Sequence, residues 1–234
     1  MVPLVRDPLR GHNLAADDNR ILNNNAIGNF NLNISISIQN VRSLNISTKN
    51  DLTTQKIISI CSLKTDFIFL SDLRLNSLKQ KAAVHDLEKT FAFNGYKFLH
   101  NSHIPSRGVG ILIKKKAMDS LTIIDRINAD DCNSLILHVK VKNQEFILCA
   151  VYGPNRDNEV EFYNVLFARL RNYSLPLIIG GDWNATFDGS SVNSNIDVVN
   201  MRNIPSILRT RKILNLCRDL NLIEPYRTIH PNKK

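Results

Sequence analysis

The chain contains the segment Leu177-Ile178-Ile179-Gly180-Gly181-Asp182-Trp183-Asn184, in which an apolar run ends in two glycines and then in polar side chains. A short apolar run of this kind, preceded here by Pro176, predicts a buried strand. Asp182 and Asn184 stand two residues apart, so in an extended segment their side chains point the same way. The segment therefore predicts a strand that delivers functional groups to its end, although an ordinary Gly-Asp turn accounts for the same pattern.

Two earlier apolar segments end in the same manner. Isoleucines alternate with serines over 34–38 and the strand ends at Asn40, while the apolar run 67–70 ends at Asp72. Active sites gather just past strand ends, and in a sheet whose strands end at one rim these groups converge. The alternatives are that Asp72 caps the segment after it and that Asn40 is a plain turn residue.

The remaining segments alternate between strand and helix patterns, which is typical of an α/β fold. A helix capped by Ser77 is predicted to bury Val84, Leu87 and Phe91, and the helix 159–171 to bury Phe162, Val165, Leu166 and Leu170. Other expected elements are a helix around 57–64, antiparallel strands 109–113, 121–127, 135–141 and 146–152, and a helix 206–220. The polar segment 1–33 is predicted to be a disordered leader, and 34–234 one domain.

The composition points to a polyanionic partner. The 234 residues carry a formal net charge of +9 and a pI near 9.5. Lysine and arginine that neutralise phosphates gain affinity by releasing counterions. The excess of positive charge is concentrated in residues 202–234, which carry eight basic and two acidic side chains. This stretch is either a solvated basic helix face or a nucleic-acid contact.

The four cysteines are isolated in the sequence and lie in apolar surroundings, without metal-ligand spacing: Cys61, Cys132, Cys149 and Cys217. They are predicted to be reduced core thiols, which indicates an intracellular compartment. No apolar run reaches the length of a membrane span and the amino terminus does not resemble a signal peptide, so no membrane partner is expected.

The polar residues past the strand ends suit a hard divalent cation. Two carboxylates and two carboxamides are oxygen ligands of the kind that Mg2+ accepts while keeping waters for a phosphate to displace. His100 and His103 flank Ser102 and are predicted to be loop residues rather than catalysts. The sequence thus favours metal-assisted phosphoryl chemistry that needs no covalent nucleophile, and it gives no sign of a small-molecule cofactor.

Five segments follow one another along the chain: Gln39-Asn40-Val41-Arg42, Phe69-Leu70-Ser71-Asp72, residues 107–113 (Arg-Gly-Val-Gly-Ile-Leu-Ile), Val151-Tyr152-Gly153-Pro154 and Gly180-Gly181-Asp182-Trp183-Asn184. In this order and spacing they resemble the endonuclease domain of non-LTR (LINE-type) retrotransposons, within the apurinic-endonuclease-like endonuclease/exonuclease/phosphatase superfamily. The similarity covers about residues 34–234.

The resemblance implies a four-layered α/β sandwich, with two mostly antiparallel sheets flanked by helices and a phosphodiester-cleaving site at one rim. It implies Mg2+ as the cofactor, with Mn2+ as a substitute, and duplex DNA as the partner in the nucleus. The implied roles are these: Asn40 orients the site or binds phosphate, Asp72 binds the metal, Tyr152 contacts the scissile phosphate, Asp182 positions the attacking water, Asn184 stabilises the phosphoryl oxygens, and Arg42, Arg107 and Trp183 contact nucleic acid.

The sequence departs from the family pattern at two places. The family has Glu where this chain has Asp72, a carboxylate shorter by one methylene. The family's closing motifs, an Arg-(Ile/Val)-Asp strand and a terminal Ser-Asp-His, do not occur before Lys234. By the resemblance, the final strands would be missing, an unpaired edge would remain, activity would be impaired, and the full protein would continue into a reverse transcriptase region.

Three functions remain open from the sequence. The first is a metal-dependent endonuclease that nicks target DNA. The second keeps the fold but acts on another phosphate ester, as a phosphatase or exonuclease, since one fold hosts many substrates. The third is a catalytically silent nucleic-acid-binding remnant, which would bind divalent metal without cleaving.

Overall fold

The structure is a computed structural model that describes residues 4–6, 34–44, 51–156, 159–185 and 207–225. Its ten strands are β1 (Leu4–Arg6), β2 (Ile36–Asn40), β3 (Phe67–Ser71), β4 (Tyr96–Asn101), β5 (Val109–Lys114), β6 (Leu121–Asn128), β7 (Ser134–Val141), β8 (Gln144–Tyr152), β9 (Leu177–Asp182) and β10 (Leu222–Ile223). Its five helices are α1 (Asp51–Cys61), α2 (Lys81–Phe93), α3 (Lys115–Met118), α4 (Glu161–Arg171) and α5 (Ile207–Asp219).

The strands form two sheets. One has six strands in the order β10-β1-β9-β8-β7-β6, and the other has four in the order β2-β3-β5-β4. All pairings are antiparallel except β2 with β3 and β8 with β9, which are parallel. With helices on both outer sides, this is the predicted four-layered α/β sandwich.

Alternating side chains of the strands fill three separate cores. Phe67 and Phe69 of β3 point into the core between the sheets, whereas Ile68 and Leu70 pack with α1 and α2 on the outer side. The six-stranded sheet is covered in the same way, because its outer face packs against α4 and α5. Both faces of each sheet are thus covered, which is why the central strands are continuous apolar runs rather than half-polar ones.

The prediction of a disordered leader over 1–33 is wrong for Leu4–Arg6. This strand lies between β9 and β10, with Leu4 opposite Ile179 and Arg6 opposite Leu222. The backbone groups of β9 therefore find partners on both sides, and the unpaired edge expected from missing final strands does not lie along β9. The rest of 1–33 outside 4–6 lies beyond the described residues.

Two helix details also differ from the predictions. Helix α2 begins at Lys81 rather than at Ser77, because Asn76 closes a turn by accepting hydrogen bonds from Lys79 and Gln80. On α4, Val165 is exposed, and the buried face is formed by Tyr163, Leu166, Phe167 and Leu170.

Strand β4 escaped the sequence analysis because Lys97, His100 and Asn101 interrupt its apolar pattern. The strands 109–113 and 121–127 were expected to pair in one antiparallel set, but β5 joins β3 and β4 while β6 joins β7 in the other sheet. No helix in the described ranges is both long and apolar enough to cross a membrane.

Candidate active site

Four strands end at the same rim of the sandwich. In the parallel pair of β2 and β3, Asn40 lies opposite Ser71, and in the parallel pair of β8 and β9, Tyr152 lies opposite Asp182. Parallel neighbours bring their carboxyl ends to one edge, where ligands of α/β sheets bind. The predicted residues on these four strands therefore meet from both sheets.

The sheets come into close contact just below this rim, at Gly180. A Cβ atom there would lie 3.1 Å from Ile38 and 3.1 Å from Phe69 of the opposite sheet, so a larger residue would push the sheets apart. Immediately beyond, the Asn40 Nδ2 donates a hydrogen bond of 2.6 Å to Asp182 Oδ2. The glycine thus permits the approach that this hydrogen bond requires.

The Asp182 carboxylate is held at both of its oxygens. Oδ2 accepts from Asn40, and Oδ1 accepts from the backbone N–H of Asn184 at 3.0 Å. Its own carbonyl accepts from the Gly153 N–H at 2.6 Å. An ionised carboxylate offers about four acceptor sites, so each oxygen keeps capacity for a further donor such as a water molecule.

Asn184 braces two loops. It adopts a left-handed backbone conformation with φ +48°, and its Nδ2 donates to the Gly153 carbonyl at 2.6 Å. Arg209 of α5 extends the brace, donating to the carbonyls of Asn184 at 2.8 Å and Asn155 at 3.0 Å. Because one amide N–H of Asn184 is committed to the backbone, only the other is open to a phosphoryl oxygen.

Two glycines of the quoted motifs lie where no side chain fits. A Cβ at Gly153 would overlap the Trp183 carbonyl and the Tyr163 hydroxyl, which donates to that same carbonyl at 2.6 Å. Gly181 has φ +152°, and a Cβ there would overlap the carbonyl of Val151 on the neighbouring strand. Close backbone packing therefore explains the glycines in both motifs.

Asp72 is paired with an arginine that the sequence analysis did not single out. The Arg74 Nε donates to Asp72 Oδ1 at 2.8 Å and Nη2 donates to Oδ2 at 2.9 Å. The Asp72 side chain is 3% exposed and that of Arg74 is 48% exposed. Both residues have positive φ, +61° and +53°, so the segment after β3 turns sharply to bring the two side chains together.

The pKa of the Tyr152 hydroxyl responds to both carboxylates at the rim. Burial raises the pKa of its hydroxyl, and the charges of Asp72 and Asp182 raise it further. A hydrogen bond with Asn155 and the charge of Arg74 lower the pKa, but the net shift is upward. The phenol is therefore a proton-bearing donor throughout the neutral and mildly alkaline range.

The loop after Asn40 is held by a lysine and by backbone hydrogen bonds, in which the N–H groups of Val41, Ser43 and Leu44 donate to the segment 71–73. Lys56 of α1 donates to the carbonyls of Val41, Arg42 and Ser43 at 3.0, 3.2 and 2.9 Å. Arg42 and Ser43 both have positive φ, and the Arg42 N–H donates to Asn40 Oδ1 at 3.1 Å. The Arg42 side chain is exposed beside the rim, so it is available to a ligand.

Arg107 is engaged on the opposite side of the rim. Its Nη2 lies 3.2 Å from both carboxylate oxygens of Glu159, and its carbonyl accepts from the Arg74 N–H at 2.9 Å. The next residue, Gly108, has φ +136° and accepts from the Leu73 N–H. The loop bearing Arg107 is thus fastened to the segment that bears Arg74.

Trp183, which the resemblance implied would contact nucleic acid, is buried in the core. The residue is 4% exposed and stacks on Tyr163, with ring centroids 6.3 Å apart, and packs against Phe167. Successive side chains past β9 point to opposite sides, so if Asp182 and Asn184 face the rim, the residue between them turns into the core beneath α4.

His100 and His103, the two histidines predicted to be loop residues, are both in contact with neighbouring side chains. His100 lies in β4 rather than in a loop, where it stacks on Phe98 with centroids 5.0 Å apart; burial lowers the pKa of its imidazole. His103 has its Nδ1 3.0 Å from the Cys132 thiol. All four cysteines are free thiols, as predicted.

Four residues at the site escaped the sequence analysis: Lys56, Arg74, Tyr163 and Arg209. Only Arg74 had a usable signal, since it follows a candidate metal-binding carboxylate by two residues. The others act from helices, where an isolated lysine, tyrosine or arginine looks like an ordinary helix residue. Arg209 belongs to the basic tail but is 5% exposed, so this residue is neither a solvated face nor a surface contact.

Comparisons with known proteins establish the fold. A scan against protein-family models finds no match, and a search among curated proteins finds none. Among solved structures, the chain is similar to an AP endonuclease from Leishmania major, with a TM-score of 0.58 and 12% identity over 83% of this chain and 68% of that one. It is also similar to an AP endonuclease from Archaeoglobus fulgidus, with a TM-score of 0.54 and 17% identity over 85% of this chain and 75% of that one. A humanized D. rerio TDP2 (TM-score 0.50, 19% identity) covers 65% of this chain and 63% of its own, less than two thirds. The chain therefore shares the fold of these AP endonuclease structures.

Proposed function

We propose that this chain is a metal-dependent phosphodiesterase that nicks DNA, acting as the endonuclease of a non-LTR retrotransposon. The observation that carries the proposal is the 2.6 Å hydrogen bond between Asn40 and Asp182, which unites the ends of two motifs from different sheets. Asp72 and Tyr152 join them at one rim. The likeness in fold to two AP endonucleases supports phosphodiester chemistry on DNA.

The residues at the rim fit Mg2+ by their chemistry. No three His, Cys, Asp or Glu side chains cluster as a metal site in the described ranges. Mg2+ does not require such a cluster, because it is bound through one or two carboxylates and retains several waters. Asp72, the Asn40 carboxamide and Asp182 lie at the same rim, and all three supply hard oxygen donors. When bound, the cation would polarise the phosphoryl oxygens and offset charge on the leaving oxygen.

The protein's own groups divide the remaining tasks. Asp182, held in one orientation by Asn40 and by the Asn184 N–H, orients a water molecule and accepts its proton. The Tyr152 hydroxyl keeps its proton, because its pKa is raised, and donates to a phosphoryl oxygen. The free N–H of the Asn184 amide can do the same, since its partner N–H is already bonded to Gly153. Such donors matter most where charge develops in the transition state.

The expected substrate is duplex DNA bound through its backbone. Arg42 is exposed next to Asn40, and Arg107 is partly exposed on the other side of the rim, so the two can contact phosphates on either side of the cleaved bond. The net charge of +9 favours such a polyanion. An intracellular, nuclear location and a reverse transcriptase region in the full protein belong to the same proposal.

The test is nicking of supercoiled plasmid by the purified chain with Mg2+ or Mn2+, beside EDTA and Asp182→Ala controls. Nicking that disappears in both controls would support the proposal. Metal and DNA binding without cleavage would instead favour the silent nucleic-acid-binding module. Hydrolysis of small phosphate esters with intact plasmid would favour a phosphatase of the same fold.

A further inference from the structure

The pair formed by Asp72 and Arg74 is unusual for a carboxylate proposed to bind a metal. Both carboxylate oxygens accept hydrogen bonds from the same guanidinium, at 2.8 and 2.9 Å. Planar bidentate pairs of this kind are the strongest ordinary charge-assisted hydrogen bonds in proteins. Before any cation arrives, the Asp72 charge is therefore already neutralised.

The two partners differ in how firmly they are held. The Asp72 side chain is 3% exposed and fixed at the end of β3, whereas the Arg74 side chain is 48% exposed. A buried carboxylate without a counter-charge is costly, so some cation must stay with Asp72. The arginine, half in solvent, can leave its position at little cost if another cation replaces it.

We propose that Arg74 is the resident counter-ion of Asp72 and that a divalent cation binds this carboxylate by displacing the guanidinium. The inference rests on the proposed metal-dependent function and adds to it a residue that sets metal affinity. In this exchange no bond is made or broken covalently. The Asp72 oxygens exchange two N–H donors for the cation, and the guanidinium, already 48% exposed, moves into solvent.

Because Arg74 competes with the metal for Asp72, removing the arginine should strengthen metal binding. Mn2+ binding to the purified protein can be followed by the loss of the free-ion EPR signal, with no dependence on cleavage. Arg74→Ala should lower the Mn2+ Kd by about three- to fivefold, the upper part of the range for loss of a partly exposed ion pair. Arg74→Lys keeps the charge but loses the planar fork, so its Mn2+ Kd should lie between those of wild type and Arg74→Ala.

Two controls separate competition from a general charge effect. Arg156→Ala removes one exposed positive charge from the loop after Tyr152, and its Kd should stay within about twofold of wild type, since exposed charges are screened. Asp72→Asn should abolish the site. If Arg74→Ala unfolds, Arg74→Gln keeps an amide donor for the carboxylate and serves for the same comparison.

The outcomes distinguish this inference from the proposed function. If Arg74→Ala binds Mn2+ no more tightly than wild type while Asp72→Asn loses binding, the exchange is overturned and the metal site stands. If Arg156→Ala tightens binding as much as Arg74→Ala, simple charge removal explains the result and the exchange is also overturned. If neither wild type nor Arg74→Ala binds Mn2+ at Asp72, the proposed metal dependence fails, and the exchange fails with it.

Discussion

Asn40 and Asp182 belong to different sheets, yet the amide of the first donates to the carboxylate of the second at 2.6 Å. This contact makes one site from residues at the ends of β2 and β9. A hydrogen bond to a charged group contributes about 1.5–3 kcal/mol. The orientation of Asp182 therefore depends on Asn40.

Asn40→Ala should lower the rate of metal-dependent nicking by about 10- to 100-fold, the kinetic equivalent of one such bond. Initial rates on supercoiled plasmid measure this. Asn94→Ala, which removes an amide bonded to Thr90 at the end of α2, should leave the rate unchanged. A normal rate in Asn40→Ala would mean that Asp182 is held without this contact.

Gly181→Ala should destabilise the protein by more than about 3 kcal/mol, because its Cβ would overlap the backbone carbonyl of Val151 in a paired strand that cannot move aside. Gly95→Ala is the matched control, because Gly95 has φ +85° and a Cβ added there would have no atom within 4 Å. That variant should lose only about 1–2 kcal/mol, the cost of a left-handed residue. Urea unfolding compares them, and equal losses would contradict the overlap.

Arg209→Met should cost about 2–4 kcal/mol of stability and reduce nicking, because the carbonyls of Asn155 and Asn184 would both lose their charged donor. Arg211→Met on the same helix replaces an exposed arginine and should change stability by less than about 0.5 kcal/mol. Thermal unfolding and nicking of both variants give the comparison. Similar melting temperatures would show that Arg209 does not brace these loops.

Lys56→Met should reduce nicking more than it reduces stability. Its ammonium group ties down three carbonyls of the loop after Asn40, so its loss should loosen the loop while the core remains packed. Lys56 is partly exposed, so water can replace its ammonium group at these carbonyls, unlike the buried Arg209. We therefore expect a rate about tenfold lower with an unfolding free energy within about 1 kcal/mol of wild type. Lys89→Met on the exposed side of α2 is the control and should change neither.

The stability of the protein should fall as the pH rises above 9. Burial raises the pKa of Cys61 from 9.0 to about 11 and that of Cys217 to about 12. The folded state thus favours the neutral thiols, so their contribution is complete below pH 9 and is lost as the pH approaches 11 to 12. Urea unfolding between pH 8 and 11 measures the slope, and Cys61→Ala should flatten it. A stability that is constant over this range would contradict the prediction.

The sequence predicted the parts of the fold that depend on local patterns. The continuous apolar run from Phe67 to Leu70 is enough to predict a buried strand, and the polar residues after it mark the rim. Alternation turns Trp183 away from Asp182 and Asn184, but its burial was not predicted, because the sequence does not show that α4 covers that side of the strand. Patterning also does not reveal which distant backbone groups a lone side chain will bind, which is why Lys56 and Arg209 were missed.

The same limit applies to Arg74. Its place two residues after Asp72 indicates proximity, but a bidentate pair requires the left-handed turns at both residues, and a sequence does not specify φ for non-glycine residues. Asn40, Asp72 and Asp182 lie at one rim, as expected from their strand ends, and Tyr152 joins them, as the resemblance implied. Their roles in cleavage stay predictions until the variants are measured.

The position of β1 between β9 and β10 has a consequence for how the protein is made. On the ribosome, Leu4–Arg6 emerge long before their partners at Ile178, Ile179 and Leu222–Ile223, and at roughly 5–20 residues per second the wait lasts on the order of ten seconds or more. The six-stranded sheet can therefore close only after translation has passed residue 223.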